Sequence, residues 1–150
     1  KPVTTVDNEE HFVEDREYTE TEALDLIKSE LGIQPLYFSE KPVGMSYDDL
    51  YMERDAQWGK MFYIYQEKVI TVLMDKSDKD MSFGIVYDGE ELESTVENVG
   101  NIEVIVHKVQ RDKIHVFYYA EIEHGNVFYY VSGDMEKPIF LELVRSIEFW

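Results

Sequence analysis

The middle of this chain is a succession of short runs rich in aromatic and β-branched residues, separated by turn signals. Lys60–Gln66 and Val69–Asp75 flank the dipeptide Glu67-Lys68, and Ile102–Val109 is followed by a second long run, Lys113–Glu123. Runs joined by turns this short pair as antiparallel hairpins, whereas parallel strands need a long crossover connection. The pattern therefore predicts an antiparallel sheet built from consecutive hairpins.

Further strands are predicted around these two hairpins. The shorter runs Leu36–Phe38, Ser46–Met52 and Met81–Tyr87 have the residue types of strands, and Asp88-Gly89 marks a turn. The segment Glu91–Asn98 is ambiguous between strand and loop. None of these segments alternates with helices in the way that a doubly wound parallel sheet requires.

A helix is predicted before the sheet. Thr19 and Glu22 have the spacing of a capping box, in which each side chain binds the backbone amide of the other. Apolar residues then recur at helical spacing, and Gly32 is a typical residue to end the helix. Residues 1–18 are polar and lack sustained periodicity. We interpret them as a linker or arm in front of a single domain, residues 19–150.

A second helix is predicted after the last strand. Asn126–Val131 has strand character, Ser132-Gly133-Asp134 has the composition of a turn, and the amphipathic segment Met135–Ile147 follows. Asp134 is expected to be the N-cap residue, and Pro138 is expected to lie in the first turn of the helix. An antiparallel sheet with a helix at each end belongs to the α+β class.

The register of the second hairpin decides which side chains share a face of the sheet. A three-residue loop, Gln110–Asp112, gives a cleaner apolar face than a two-residue loop. The predicted pairs are Ile102–Ala120, Val104–Tyr118 and Val106–Val116, and the same face continues through Val127, Tyr129 and Val131. The opposite face would hold Ile105, His107, His115, Phe117, Tyr119, Phe128 and Tyr130. Because both faces carry large apolar groups, each must contact a helix, another part of the sheet, a ligand or a partner.

Charge and composition exclude several classes of partner. The 14 Lys and Arg residues against 32 Asp and Glu residues give a net charge of −18, which repels nucleic acids and anionic membrane surfaces. The absence of cysteine excludes disulfides and thiolate metal sites. No run approaches the roughly 20 apolar residues of a membrane span. Contact with a membrane is therefore expected only through an anchor outside this sequence.

His107 and His115 are candidate metal ligands, because the predicted register places them on neighbouring strands of one face. Two nitrogens make a weak site, since zinc usually takes three or four protein ligands, although Glu103 and Glu121 are on the same face. The alternative is a pair of partly exposed histidines that respond to pH. The acidic loop Asp75–Asp80 lacks the spacing of an EF-hand, so it does not predict a calcium site. No cofactor is expected for this chain.

Signatures of catalysis are absent from the sequence. It contains no G-x-S-x-G, S-x-x-K or H-E-x-x-H motif and no phosphate-binding glycine-rich loop. The neighbouring acids Asp48-Asp49 and Glu90-Glu91 are predicted to lie in loops, and nothing brings them into the cleft that carboxylate-based hydrolysis requires. The chain is therefore expected not to be an enzyme, with a carboxylate-based hydrolase as the least favoured alternative.

An aromatic face of the sheet is the strongest candidate for a ligand-binding site. Aromatic side chains supply large apolar area, and a concave apolar surface suits an apolar or peptide ligand. The alternative is that a helix simply covers this face. The candidate residues are Phe117, Tyr119, Phe128, Tyr130, Tyr63 and Tyr65.

The end of the sequence resembles a known family. Val127–Met135, followed by Phe140–Ile147, is similar to the C-terminal signature of an uncharacterised extracytoplasmic domain family found mainly in Gram-positive bacteria. In that signature an aromatic strand ending in Y-x-x-S-G precedes a short helix that ends near S-I. The helix that ends at Gly32 and the following Leu36-Tyr37 resemble the family's opening helix and first strand.

This resemblance implies an extracytoplasmic domain, often behind a membrane anchor, related to lipoprotein-sorting carriers and to the C-terminal domains of anti-sigma factors. Those folds curve an antiparallel sheet around an apolar concavity and pack helices against it. We therefore expect a non-catalytic binding or sensor domain whose partner is an unknown protein, peptide or apolar ligand. The alternative is a carrier of a lipid or lipoprotein acyl chain. The family has no established catalytic residues, so none is carried over.

Overall fold

A computed structural model of the chain describes residues 17–76 and 89–150. The helices are α1 (Glu20–Leu31) and α2 (Lys137–Arg145). The strands are β1 (Leu36–Phe38), β2 (Ser46–Glu53), β3 (Trp58–Tyr65), β4 (Lys68–Asp75), β5 (Glu90–Val99), β6 (Ile102–Gln110), β7 (Val116–His124), β8 (Val127–Gly133) and β9 (Ile147–Phe149). Most of the predicted arm and of the acidic loop, and all of the predicted strand Met81–Tyr87, lie outside the described residues. No helix in the described ranges has the length and apolarity needed to cross a membrane.

The first helix confirms the prediction made from its caps. The Glu22 amide donates to Thr19 Oγ1 at 3.2 Å, and the Thr19 amide donates to Glu22 Oε1 at 3.0 Å. Gly32 ends the helix with φ +66°, a left-handed conformation that glycine adopts without steric strain. One face of the helix is buried, and its buried residues are Ala23, Leu24, Ile27 and Leu31.

The second helix is shorter than predicted and begins later. Ser132 and Gly133 belong to β8 rather than to a turn, because Ser132 pairs with Thr71 on one side and with Tyr119 on the other. The prediction of Asp134 as N-cap is therefore wrong: Glu136 occupies the N-cap position and makes no side-chain capping hydrogen bond. Pro138 lies in the first turn, as predicted, and its fixed φ favours the start of a helix there. Ile147 opens β9, which sequence patterns did not reveal.

Seven strands form one open antiparallel sheet in the order β2-β3-β4-β8-β7-β6-β5. Strands β2 to β4 are one run of consecutive hairpins, and β5 to β8 are another. The two runs are joined by pairing of β4 with β8, from Thr71–Ser132 to Asp75–Phe128. A separate small sheet pairs β1 with β9. The predicted α+β class with an antiparallel sheet of hairpins and two packed helices is confirmed.

The register of the β6–β7 hairpin differs from the predicted one. Val106 pairs with Ala120 rather than with Val116, and Gln110 pairs with Val116. The connecting loop therefore has five residues, Arg111 to His115, and the Arg111 amide donates to the His115 carbonyl at 3.0 Å. The shift along β7 is an even number of residues, so each side chain keeps its predicted face. Accordingly, Val127, Tyr129 and Val131 do share a face with Ala120 and Ile122.

Both helices pack on the same face of the large sheet, which we call the inner face. Helix α1 lies against β2 and β3, where Gly59 leaves room for Leu31. Helix α2 lies against β7, where Phe140 stacks on Tyr118 with ring centroids 5.8 Å apart. Phe140, Leu143 and Val144 are fully buried there. Each such side chain contributes about 1.5–3 kcal/mol by leaving water, so this face is the main hydrophobic core.

A buried tyrosine fastens α1 to this core. The Tyr63 hydroxyl donates to Glu20 Oε2 at 2.8 Å, and Lys41 Nζ lies 2.9 Å from Glu20 Oε1. Burial, and then the charge of Glu20, raises the pKa of Tyr63 above its usual range. The raised pKa favours the neutral phenol, which is the form that donates this hydrogen bond to Glu20.

Gly133 is required at the end of β8 because the sheet packs closely there. A Cβ atom at this position would overlap Cδ1 of Ile70 on the inner face and would approach Ile70 Cγ1 and Cγ2 to 3.3 Å. We expect Gly133→Ala to lower the free energy of unfolding by about 1–3 kcal/mol through overpacking, measured by urea denaturation. Ile70→Val removes the overlapping methyl group, so the double variant should lose less stability than the two single losses combined. Strictly additive losses would contradict this explanation.

Candidate functional site

The opposite, outer face of the sheet carries most of the predicted ligand-binding residues. Cross-strand partners share a face in antiparallel sheets, and Leu73–Tyr130, Tyr119–Ser132 and Glu123–Phe128 are such pairs. Helices α1 and α2 both lie on the inner face. Phe140, Leu143 and Val144 of α2 therefore do not cover these aromatic side chains.

Tyr63 and Tyr65 are on the wrong face for the predicted site. Tyr63 pairs with Ile70 and lies in the inner core, where it contacts the rings of Phe38 and Tyr47. Tyr65 follows at the same alternation and is also buried in that core. Lys60 takes the outer-face position on β3 instead, opposite Leu73. The two tyrosines belong to the inner core and do not line the same face as Phe117, Tyr119, Phe128 and Tyr130.

Most of the outer aromatic residues are buried by packing rather than exposed to solvent. Tyr119 and Tyr130 are 2% and 1% exposed, and Phe117 and Tyr119 form a second small core with Val109. Burial, and then the neighbouring Glu91 carboxylate, raises the pKa of Tyr119 above its usual range. Only Phe128 among the four is half-buried. These rings are therefore packed beneath the outer surface and offer little area for direct contact with a ligand.

A groove of about 530 Å³ opens on this face, near the end of the sheet where β8 finishes and β7 begins. Its size is within the range of small-molecule sites. Its floor and walls come from β3, β4, β7, β8 and the loop between β6 and β7. The lining residues are Lys60, Val69, Thr71, Leu73, Arg111, His115, Val116, Phe117, Tyr130, Ser132, Gly133 and Asp134.

The groove collects positive charge on a strongly acidic chain. Lys60 reaches it from β3, where its Nζ lies 5.4 Å from the centroid of Trp58. Arg111 reaches it from the β6–β7 loop, and its guanidinium carbon lies 4.6 Å from the centroid of Phe117. The lining carboxylate, Asp134, lies 3.6 Å from Lys68 Nζ. The local balance of charge is thus opposite in sign to the net charge of −18.

Asp112 organises the loop that presents Arg111 and His115. Its Oδ1 accepts hydrogen bonds from the amides of Ile114 at 3.0 Å and His115 at 2.9 Å. Its Oδ2 lies 2.9 Å from His115 Nδ1. The His115 side chain and these amides lower the pKa of Asp112 to about 2. The loop is therefore held in one conformation by an ionised carboxylate, which fixes His115 beside the groove.

His107 and His115 do not come together as the predicted metal pair. His107 faces Tyr119 across the strands, with the two rings stacked 4.3 Å apart, whereas His115 lies in the loop beyond β6. The nitrogens of His107 lie 2.6 Å from Glu91 Oε1 and 2.9 Å from Glu121 Oε1. Within residues 17–76 and 89–150, no group of three or more His, Asp or Glu side chains is arranged to hold a metal ion.

The acidic pairs considered for catalysis lie in strands rather than loops. Asp48 and Asp49 are in β2, at a register shift opposite β3, and Glu90 and Glu91 are in the edge strand β5. Among the described residues, the lining of the groove includes one carboxylate, that of Asp134. Carboxylate-based hydrolysis uses two convergent acids, so the groove does not have that arrangement.

Several groove residues were not identified from the sequence. Thr71 and Ser132 pair directly and place two hydroxyl side chains on the floor. The alternation of Val69, Thr71 and Leu73 does indicate a shared face, but only the β4–β8 pairing adds Ser132 to it. Lys60 and Arg111 are distant in sequence, and no motif around either residue indicates that they share a site.

Comparison with known proteins identifies one family. A family model described as "Domain of unknown function (DUF4367)" matches residues 35–147, from β1 to the first residue of β9. No curated protein and no solved structure matches the chain. The match covers the groove and both runs of hairpins.

The carboxyl group of Asp112 should titrate near pH 2, as followed by its carbon-13 chemical shift, because its folded pKa is depressed below the ordinary 3.8. The stability that it contributes is complete above the ordinary pKa and is lost as the pH falls through about 2. His115→Ala should raise this pKa by removing its main cause. His124→Ala should leave it unchanged, because His124 stacks on Phe149 instead. An ordinary midpoint for Asp112 would show that the loop is not held in this way.

Proposed function

We propose that this chain, which belongs to the DUF4367 family of domains of unknown function, is a non-catalytic binding domain whose ligand occupies the outer-face groove. The observation that carries the proposal is the groove itself. It joins hydroxyl, apolar and cationic side chains from five parts of the chain with the buried rings of Phe117 and Tyr130. Sites built on the strands of a sheet hold their side chains more precisely than sites on loops alone.

The chemistry of the lining supports binding rather than catalysis. Thr71 and Ser132 supply hydroxyl groups. Among the described residues, no basic side chain is hydrogen-bonded to either hydroxyl, so neither is activated as a nucleophile. His115, the imidazole beside the groove, contacts Asp112 instead. Among the described residues, the lining therefore offers recognition groups but no hydroxyl nucleophile in contact with a base.

We further propose that the domain is extracytoplasmic and is held at the cell surface by an anchor, where it acts as a sensor. The resemblance of Val127–Met135 and Phe140–Ile147 to Gram-positive extracytoplasmic domains supports this location. The same resemblance relates the domain to lipoprotein-sorting carriers and anti-sigma-factor tails. A sensor of this kind would bind its ligand outside the cell and pass the signal through its anchor.

A binding site is favoured over an acyl-chain carrier by the shape of the outer face. A carrier requires an enclosed apolar cavity that removes a long chain from water. The groove is open to solvent, and the aromatic residues beneath it are already packed against one another. This arrangement suits a small ligand that remains partly exposed.

The proposed site can be tested by nuclear magnetic resonance with a set of small anionic, cationic and neutral probes. Binding should shift the amides of Thr71, Phe117 and Ser132 together, because these residues lie on three neighbouring strands and all line the groove. Thr71→Tyr fills the groove and should weaken binding by at least tenfold, which corresponds to about 1.4 kcal/mol. The matched control is Thr95→Tyr, since Thr95 is exposed on the inner side of β5 and should tolerate the same change.

Two results would contradict the proposal. One is the absence of any groove-directed shift across the whole probe set. The other is equal weakening of binding by Thr71→Tyr and Thr95→Tyr, which would place the ligand elsewhere. Circular dichroism of both variants would establish that they keep the fold of the parent chain.

A further inference from the structure

We infer that the groove binds an anionic amphiphile, a phosphate or carboxylate group joined to a short apolar chain. This inference rests on the proposed function, because it names the ligand of the same groove. Three features carry it: the charge around the groove, the pair of hydroxyls on its floor and the apolar side chains of its lining.

The charge of the lining favours an anion. Lys60 enters from β3 and Arg111 from the loop after β6, and the strands β4, β8 and β7 lie between them. The two cations thus approach the groove floor from opposite sides. Asp134 is the lining carboxylate, and its contact with Lys68 offsets its charge. When the contacting neighbours Lys68 and Asp112 are counted with the lining, three cationic side chains stand against two carboxylates. On a chain of net charge −18, this local excess of cations favours an anion at one place.

The floor between these cations offers hydrogen bonds to the same anion. Thr71 and Ser132 are direct cross-strand partners of β4 and β8 and both line the groove. The Cβ atoms of directly opposed residues lie about 4.5–5.5 Å apart, so two such hydroxyls can bind one phosphate or carboxylate group together. His115, whose Nδ1 lies 2.9 Å from Asp112 Oδ2, also lines the groove.

Apolar side chains of the lining flank the anion-binding floor. Val69 lines the groove with 53% of its surface exposed. Val116, which is half-buried, and the buried Phe117 continue this apolar wall. Exposed apolar surface beside a cationic floor favours a ligand that is apolar at one end. A bare inorganic ion would make no apolar contact with this wall.

A small molecule fits this site better than a membrane surface does. The binding groups lie in a concavity on the sheet, and the 32 acidic residues of the chain repel anionic bilayers. A single amphiphile can enter the groove without bringing the rest of the acidic surface against other anions. We therefore assign the site to a dissolved molecule.

The test compares ligands that differ only in their head group. Calorimetric titration of the full chain with octyl phosphate, octyl glucoside and inorganic phosphate, each below its micellar concentration where it has one, separates charge from apolar contact. Octyl phosphate should bind at least about tenfold more tightly than either of the others, because it alone satisfies the cations and the apolar wall. Binding should weaken as salt is added, since the cations are partly exposed.

Matched variants locate the effect. Lys60→Met should weaken octyl phosphate binding by roughly tenfold or more, as expected for loss of a charge-assisted hydrogen bond, and should leave octyl glucoside unaffected. Lys108→Met makes the same substitution and the same change in net charge on the inner face, where Lys108 pairs with Tyr118. It should therefore leave both affinities unchanged. Ser132→Ala should reproduce a weaker form of the Lys60→Met effect.

The possible outcomes separate this inference from the proposed function. If octyl glucoside binds in the groove as tightly as octyl phosphate, the groove is a binding site but the inference is wrong. If inorganic phosphate binds as tightly as octyl phosphate, the apolar half of the inference is overturned. Binding only to vesicles that contain anionic phospholipid would overturn the assignment to a dissolved molecule. If no probe binds in the groove, the inference and the proposed function both fail.

Discussion

The pairing of β4 with β8 is the constraint on which the rest of the structure depends. Thr71 and Ser132 are far apart in sequence, so their pairing closes a long loop and costs chain entropy that local hairpins do not. Burial of Val72 against Val131 and of Met74 beside Tyr129 offsets this cost on the inner face. On the outer face the same pairing creates the groove floor. Without it, the chain would hold two separate runs of hairpins, each with unpaired edges.

Both faces of the large sheet carry apolar side chains, and each face buries them in a different way. The inner face is covered by α1 and α2, whose apolar stripes form the main core with it. On the outer face, Phe117, Tyr119 and Val109 pack on one another, and His107 stacks on Tyr119 between Glu91 and Glu121. The groove adjoins this packed area, and Phe117 belongs to both.

The proposed anion site depends on charges that the fold gathers from a chain of the opposite sign. Lys60 and Arg111 come from different runs of hairpins, and they face one groove only because β4 and β8 pair between them. Ser132 and Gly133, neighbours at the end of β8, then have separate roles. Ser132 faces the groove, while Gly133 leaves room for Ile70 in the core. The end of β8 thus contributes both to the stability of the fold and to the proposed binding site.

The sequence by itself determined the local elements. Thr19, Glu22 and Gly32 specify α1 through contacts within a few residues, and the alternation of each strand decides which side chains share its face, even where the β6–β7 register was wrong. Only the tertiary structure decided the rest. Ser132 has the local preference of a turn residue, yet Thr71 and Tyr119 on either side hold it in a strand. Alternation along β3 puts Tyr63 and Lys60 on opposite faces, but only the packing of the helices decides that the face of Tyr63 is the core. These outcomes depend on partners distant in sequence, and local patterns carry no information about which partners those are.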